Sequence, residues 1–282
     1  MQLMERISHI LNVSATHAQP LHGGSIGDVY RVDLADGTRL VAKVADEHGT
    51  LHIEGEMLRY LRNHSALPVP EVLHSAPELL VMTYIDGNSH LDGETQHHAA
   101  ELIAALHSLS AAQFGFAWDT LIGGLHQPNP LTESWLTFFQ EHRLRYMAEE
   151  ALRAGRLPAR VAERLYKFAD DVGRYLNEPP YPALLHGDLW TTNILAKGGR
   201  ITGFVDPAIY YGHPEIELAF STLFGTMSTP FFNRYKALRP IEPGFFETRR
   251  DIYNLYPLLV HVRLFGGSYV ASVDEILRRF GF

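Results

Sequence analysis

The segment Ala183–Leu195 constrains the fold of this chain more than any other stretch of its sequence. It begins with apolar residues, becomes polar at His186 and then becomes apolar again, which predicts a buried strand, a polar loop and a second strand. Asp188 and Asn193 lie five positions apart inside the predicted loop, and a later apolar run ends at Asp206. We therefore expect these three oxygen-bearing side chains to share one site.

The spacing of these residues matches the catalytic set of protein kinases, which reads H-R-D-L-x-x-x-N followed by D-F-G. Here the set reads His186-Gly187-Asp188-Leu189 with Asn193, then Asp206-Pro207-Ala208, so that Gly replaces Arg and Pro-Ala replaces Phe-Gly. Phosphoryl transfer needs positioning and charge neutralisation more than covalent help from the protein. We predict that Asp188 is the catalytic residue beside the nucleophilic hydroxyl. Asn193 and Asp206 are predicted ligands of Mg²⁺, which prefers hard oxygen donors.

Composition narrows the class of protein. With 282 residues and 46% hydrophobic content, the chain can form a large core, as one domain or two lobes. A net charge of −8 argues against a nucleic-acid partner, and the lack of cysteine excludes disulfides and thiol nucleophiles. No leader pattern is present, and no apolar run approaches the roughly 20 residues that span a membrane. We therefore expect a cytoplasmic protein with no membrane partner.

The N-terminal region contains a possible phosphate-binding loop. Gly24, Ser25, Ile26 and Gly27 match the second half of a glycine-rich kinase loop, in which small residues let backbone amides approach phosphate oxygens. A simple hairpin turn explains the same residues equally well. Strands are predicted next at Val29–Leu34 and Arg39–Val44, joined by the Asp36-Gly37 hairpin signal.

Lys43 lies in the apolar run Leu40–Val44, where an ammonium group is costly to bury without a partner. Together with the upstream glycines, this position predicts contact with the phosphates of ATP. Such a lysine usually pairs with a glutamate on the next helix, here predicted at His52–His64. Glu54 shares a helical face with apolar residues and is the preferred partner, and Glu56 stays open as the alternative.

The apolar run Glu78–Gly87 predicts a strand that leads into a hinge between two lobes. Met82 is predicted to lie behind the adenine, and the backbone of Thr83, Tyr84 and Ile85 to bond the adenine edge. Pro214 suits the first turn of a helix. Further helices are predicted at Met4–Leu11, Thr95–Ser108, Ser134–Ala154, Leu157–Leu176 and Arg249–Phe265.

Several motifs together resemble the fructosamine kinase, or ketosamine kinase, family. They are His186-Gly-Asp-Leu-Trp190 with Asn193, Asp206-Pro-Ala208, Gln127-x-Asn129, Trp135-x-x-Phe-Phe139 with Arg143-Leu144, Tyr211-Gly-His213, and Arg263-Leu-Phe-Gly-Gly-Ser-Tyr269. Related aminoglycoside and choline kinases more often carry His where this chain has Trp190. Ser25 and Ile26 stand where some family members carry Cys, so thiol redox control is not expected.

The resemblance implies an α+β, bilobal protein-kinase-like fold, with a small β-rich lobe at residues 1–84 and a larger, mainly helical lobe at 85–282. It implies ATP and Mg²⁺ as cofactors and phosphorylation of a sugar hydroxyl, at O3, on a ketosamine. The partner would be a small-molecule ketosamine or a glycated lysine on a protein, and the role would be deglycation repair.

Trp190 is predicted to stack on the acceptor sugar, because an aromatic ring covers the flat apolar face of a sugar and Trp190 follows Asp188 closely. The alternative is that Trp190 only packs against a neighbouring helix. Two other functions stay open: a small-molecule kinase of the aminoglycoside or choline type, and an inactive nucleotide-binding interaction module. Retention of Lys43 and all three polar residues of the site counts against the inactive module.

Overall fold

A five-stranded antiparallel sheet forms the N-terminal part of the molecule. The structure, a computed structural model, describes residues 3–21 and 28–282. The strands are hydrogen-bonded in the order β1-β2-β3-β5-β4. In chain order the elements are α1 (Leu3–Leu11), β1 (Ala15–Pro20), β2 (Asp28–Leu34), β3 (Arg39–Val44), α2 (Leu51–His64), β4 (Val72–Ala76) and β5 (Leu79–Thr83).

The predicted hairpin and the first helices are confirmed. The β2–β3 turn contains Gly37 at φ +85°, a left-handed conformation that glycine adopts without steric cost. Helices α1 and α2 begin one residue before their predicted starts. The predicted phosphate loop, Gly24 to Gly27, lies outside the described residues.

The side chains of β3 point alternately to the two faces of the sheet, and this alternation determines the face on which Lys43 lies. Leu40 and Ala42 pack with α1 in a small core on one face of the sheet. Val41 packs instead against the main core on the opposite face, the one that α2 covers. Because successive side chains of a strand point to opposite faces, Lys43 also lies on the face of α2.

Strand β5 is shorter than the predicted run to Gly87. The last bond of its ladder with β3 joins the Tyr84 amide to the carbonyl of Arg39 at 3.2 Å. The chain then turns away and pairs Asn88 with Ala196. Since the sheet ends here, we propose that the boundary between the lobes lies between residues 84 and 85.

The remainder of the chain is mainly helical, with three two-stranded antiparallel pairs: β6 with β7, β8 with β11, and β9 with β10. No described helix has the length and apolar character to cross a membrane. The elements are α3 (Gly93–Leu106), β6 (Thr120–Ile122), β7 (Leu125–Gln127), α4 (Trp135–Phe139), α5 (Tyr146–Arg153), α6 (Ala159–Asp170), β8 (Ala183–Leu185), β9 (Ile194–Lys197), β10 (Arg200–Phe204), β11 (Tyr210–Gly212), α7 (Pro214–Leu223), α8 (Thr229–Leu238), α9 (Arg250–Phe265) and α10 (Ser268–Arg279).

Two predicted helices differ from those observed. The helix predicted at Ser134–Ala154 is continuous, but its middle, Gln140–Arg145, forms a wider π turn between α4 and α5. The helix predicted at Leu157–Leu176 ends at Asp170, and a separate 3₁₀ turn follows. This turn contains Gly173, a residue type with low helix propensity. Pro214 opens α7, as predicted.

The π turn places Arg143 in the core, where it is fully buried. Its guanidinium lies 4.0 Å from the ring centre of Tyr210 and donates to the side-chain oxygen of Asn129 at 2.6 Å. Near Asn129, Gln127 donates to the carbonyl of Ala208 at 3.0 Å. These contacts tie the irregular segment before α4 to the chain that follows Asp206.

Candidate active site

The catalytic loop, which begins at His186 and contains Asp188 and Asn193, follows the buried strand β8, which pairs with β11. Its second residue, Gly187, has φ +85°, and a Cβ at this position would lie 2.0 Å from the carbonyl oxygen of Ala208. That close approach holds a hydrogen bond from the Ala208 amide to the carbonyl of His186, at 2.8 Å. The geometry explains why glycine replaces the arginine of the protein kinase pattern, since any side chain would separate the two segments.

Asn193 fixes the position of Asp188. Its side-chain amide donates to the backbone oxygen of Asp188 at 3.0 Å and to the carboxylate at 2.7 Å. Burial raises the pKa of Asp188 to about 7, and the charge of Asp206 adds to this rise, whereas the bond from Asn193 opposes it. A carboxyl group with a pKa near the working pH is suited to accept a proton.

Asp206 occupies an unusual backbone conformation at the end of β10. Its φ is +53°, which non-glycine residues seldom adopt and which costs of order 1–3 kcal/mol. The preceding residue, Val205, donates its amide to the carbonyl of Asn193 at 3.0 Å. The left-handed turn directs the Asp206 carboxylate toward Lys43, with which it forms an ion pair.

Lys43 joins the sheet to the catalytic loops. Its ammonium lies 2.7 Å from the carboxylate of Glu54 and also contacts Asp206. Burial alone would lower the pKa of Lys43, but the charges of Asp206 and Glu54 outweigh burial, and the pKa is raised. Lys43 therefore carries its charge at neutral pH. Glu56, the alternative partner, pairs with Arg59 on the exposed side of α2.

A cavity of about 420 Å³ lies beneath the sheet, with Lys43 and Asp206 at one end. Met82 and the segment from Thr83 to Ile85, which are predicted to contact adenine, form part of its wall. Val41, Leu195 and Val205 supply apolar wall that the sequence motifs did not single out. Mainly apolar walls with a few placed polar groups are typical of small-molecule and cofactor sites.

Two of the three backbone amides in the predicted adenine-binding segment, residues 83–85, already have hydrogen-bond partners. The amide of Thr83 donates to the carbonyl of Glu71 at 2.9 Å, and the amide of Tyr84 is used by β3. The amide of Ile85 has no hydrogen-bond partner among residues 3–21 and 28–282. Among the described residues, the Ile85 amide is thus the one amide of the predicted backbone segment that is left to donate to an adenine edge.

A second cavity of about 70 Å³ continues from the first, because Lys43 and Asp206 line both. Asp188, Asn193 and Trp190 also line this smaller cavity. All the side chains predicted for chemistry and for acceptor binding thus face one space. Trp190 in addition packs on Phe224, at 5.7 Å between ring centres, so it both lines the cavity and contacts a neighbouring element.

The donor set in this cavity fits a magnesium ion shared with phosphate. The Asn193 amide nitrogen is held by Asp188, so the side-chain oxygen, which accepts a long bond of 3.3 Å from the Thr192 hydroxyl, is the atom that would bind a cation. The Asp206 carboxylate lines the same cavity. In the part of the chain that the structure describes, no three His, Asp or Glu side chains form a metal cluster. Such a sparse set is usual for Mg²⁺, which takes its other ligands from phosphates and water.

A buried pair of polar side chains, which the sequence motifs did not reveal, supports the catalytic loop from below. Glu217, on α7, accepts the Gly187 amide at 2.6 Å and pairs with His107 at 2.8 Å. His107 in turn contacts the hydroxyl of Tyr235 at 2.7 Å. Burial alone would raise the pKa of Glu217, but the hydrogen bond and charge of His107 lower it. The acidic residues of the otherwise apolar helix α7 are the sequence signal that could have revealed this support.

Comparison with known proteins gives matches along nearly the whole chain. The family model described as fructosamine kinase matches residues 2–280. A probable ketoamine kinase of Vibrio parahaemolyticus is 34% identical over 269 residues, which cover 92% of this chain and 90% of the relative. A probable ketoamine kinase of Synechocystis sp. is 40% identical over 192 residues, covering 66% of this chain and 62% of the relative.

The fold is also found in a solved structure. A crystal structure described as that of a putative fructosamine-3-kinase from Thermobifida fusca has a TM-score of 0.88 at 28% identity, with 98% of this chain and 97% of that chain covered. The fold and the site define an ATP-dependent phosphotransferase with the bilobal, kinase-like α+β architecture, and this prediction is confirmed. The chain belongs to the fructosamine kinase family.

The close approach at Gly187 can be tested with a matched pair of glycine variants. Gly187→Ala should lower the free energy of unfolding by more than the ~1–3 kcal/mol of a strained backbone alone, because its methyl group meets Ala208. Gly37→Ala has the same φ of +85° but no atom within 4 Å of the added Cβ, so it should stay within that range. Denaturant unfolding of both variants measures the difference, and equal stability losses would contradict the account.

Proposed function

We propose that this protein transfers the γ-phosphoryl group of ATP to a sugar hydroxyl of a ketosamine, at O3. The observation that carries the proposal is the shared space: Asp188 and Trp190 line the smaller cavity, and Lys43 and Asp206 connect it to the adenine-sized one. An acceptor against Trp190 would therefore meet the nucleotide phosphates near Asp188.

Each residue has a proposed task. Lys43, held by Glu54, binds the phosphates of ATP. Asn193 and Asp206 hold Mg²⁺, which when bound neutralises phosphate charge. Asp188 orients the acceptor hydroxyl and receives its proton, for which its raised pKa is suited. Transfer then forms one oxygen–phosphorus bond to the sugar and breaks the bond to ADP.

Trp190 supplies the proposed selectivity for a sugar. Its ring lines the cavity, is partly exposed and is held by contact with Phe224, so it can cover one face of a sugar without moving. The family relationship supports a ketosamine as that sugar, either free or as a glycated lysine on a protein. We propose deglycation repair as the role, because a phosphorylated ketosamine adduct is unstable and leaves the amine.

The role of Asp188 is tested by turnover. Asp188→Asn should lower kcat by a factor on the order of 10²–10⁴, the range that general-base catalysis supplies, with ATP affinity nearly unchanged. Asp170→Asn, the same substitution on the surface of α6, is the control and should keep full activity. Steady-state rates and nucleotide titration separate the two effects. Near-full activity of Asp188→Asn would show that the base lies elsewhere.

The acceptor class is tested by comparing fructosyl-lysine with kanamycin and choline in the presence of ATP and Mg²⁺. We expect measurable turnover only with the ketosamine. Trp190→Ala should raise KM for fructosyl-lysine and lower kcat, while KM for ATP changes little. Trp118→Ala, at a tryptophan outside both cavities, is the control. Faster turnover of kanamycin or choline than of the ketosamine would replace this proposal with a different small-molecule kinase.

A further inference from the structure

The sequence motif Arg263–Tyr269 has no task in the proposed reaction. In the structure it forms the end of α9, the turn into α10 and the first residues of α10. Gly266 and Gly267 both adopt left-handed backbone angles, with φ of +65° and +63°. This tight turn brings Phe265 and Tyr269 to within 6.2 Å of each other, measured between ring centres.

These two rings continue a row that begins at the acceptor cavity. Trp190 contacts Phe224 at 5.7 Å and His261 at 6.4 Å between ring centres. His261 then contacts Phe265 at 5.8 Å and Tyr269 at 4.9 Å. We call Phe224, His261, Phe265 and Tyr269 the aromatic ledge.

Phe224 and Phe265 of the ledge are exposed, whereas His261 and Tyr269 are half-buried and Tyr269 packs against the main core. Phe265 is 56% exposed and Phe224 is 38% exposed, and both contact the His261 ring, so they form a cluster rather than scattered exposed residues. Burial lowers the pKa of His261, so its ring is uncharged at neutral pH. The ledge thus offers an uncharged, ring-lined surface continuous with the proposed sugar site.

A ketosamine has a sugar at one end and a substituent on its amine nitrogen at the other, so the position of the sugar determines where the substituent lies. If a sugar hydroxyl lies at Asp188 and the sugar face lies on Trp190, the nucleotide occupies the side of the cavity lined by Lys43 and Asp206. The substituent on the amine nitrogen must leave by another side. Phe224 and His261 contact the Trp190 ring, and His261 lines a cavity together with Asp188. Since Phe265 at the other end of the ledge is exposed to solvent, the ledge provides that exit.

We propose that the aromatic ledge binds the substituent on the amine nitrogen of the ketosamine, and that it favours apolar substituents, above all aromatic ones. This inference rests on the proposed function. A flat ring stacked on Phe265 or Tyr269 would add aromatic contact without displacing a charged group. Binding of the sugar beside Asp188 would then be required for any reaction. The ledge would change kcat/KM among acceptors that carry the same sugar but different amine substituents.

The test uses two fructosamines with the same sugar and a secondary amine, one N-benzyl and one N-methyl. Wild-type protein should show a kcat/KM for the benzyl compound higher by a factor on the order of 10, the size of one aromatic contact. Phe265→Ala should remove most of this preference, and Phe265→Tyr, which keeps a ring, should retain it. Leu131→Ala, at a side chain with 57% exposure outside the ledge, is the control and should leave the preference unchanged.

The outcomes distinguish a failure of the proposed ledge binding from a failure of the proposed ketosamine phosphorylation. The proposed binding by the ledge is supported if Phe265→Ala loses the preference for the benzyl compound at an unchanged melting temperature, while Phe265→Tyr and Leu131→Ala keep it. Equal turnover of both compounds by wild-type protein overturns the ledge and leaves ketosamine phosphorylation standing, as does a preference that survives in Phe265→Ala. Failure of wild-type protein to phosphorylate either compound rejects the proposed function and the ledge together.

Discussion

The ion pairs of Lys43 connect the two halves of this molecule. Lys43 is buried, and a buried ammonium is stable only when opposite charges and hydrogen bonds compensate for lost water. Glu54 comes from helix α2, and Asp206 comes from the chain after β10. One lysine thus sets the distance between the sheet, helix α2 and the catalytic loops. Both proposed binding cavities depend on that distance, because Lys43 lines each of them.

A second contact holds α2 in the same position. The hydroxyl of Tyr60, on α2, lies 3.0 Å from the hydroxyl of Tyr211, on β11. The Tyr60 ring also packs against Phe116, at 4.8 Å between ring centres. Since β11 pairs with β8, which leads into the catalytic loop, α2 and that loop share one support. Below the loop, Glu217 and His107 complete this support with buried, fully paired polar groups, an arrangement that makes a local structure rigid.

Much of this site could be predicted from sequence because its pattern is local. Asp188, Asn193 and Asp206 lie within one short stretch of alternating strands and loops, and the structure brings them to one cavity. The placement of Lys43 follows from strand alternation, and Glu54 was preferred from its helical face. The assignment of catalytic, metal-binding and nucleotide-binding tasks to these residues stays a prediction.

The features that sequence did not reveal depend on tertiary contacts or on backbone angles. His107 and Glu217 are 110 positions apart, and neither lies in a motif that predicts their pairing. The left-handed Asp206 could not be foreseen because a non-glycine residue rarely adopts that angle. The π turn at Gln140–Arg145 reflects the burial of Arg143 among aromatic rings, which helical periodicity alone does not predict.

We propose that Glu54 acts on nucleotide binding through Lys43, and a double-mutant cycle tests this coupling most directly. Affinity for a non-hydrolysable ATP analogue would be measured by calorimetry for Lys43→Met, Glu54→Gln and the double variant, with Glu56→Gln as the control. We predict that each of the two single variants weakens binding, that the double variant is no weaker than Lys43→Met, and that Glu56→Gln binds normally. Additive losses, or wild-type affinity in Lys43→Met, would contradict the account.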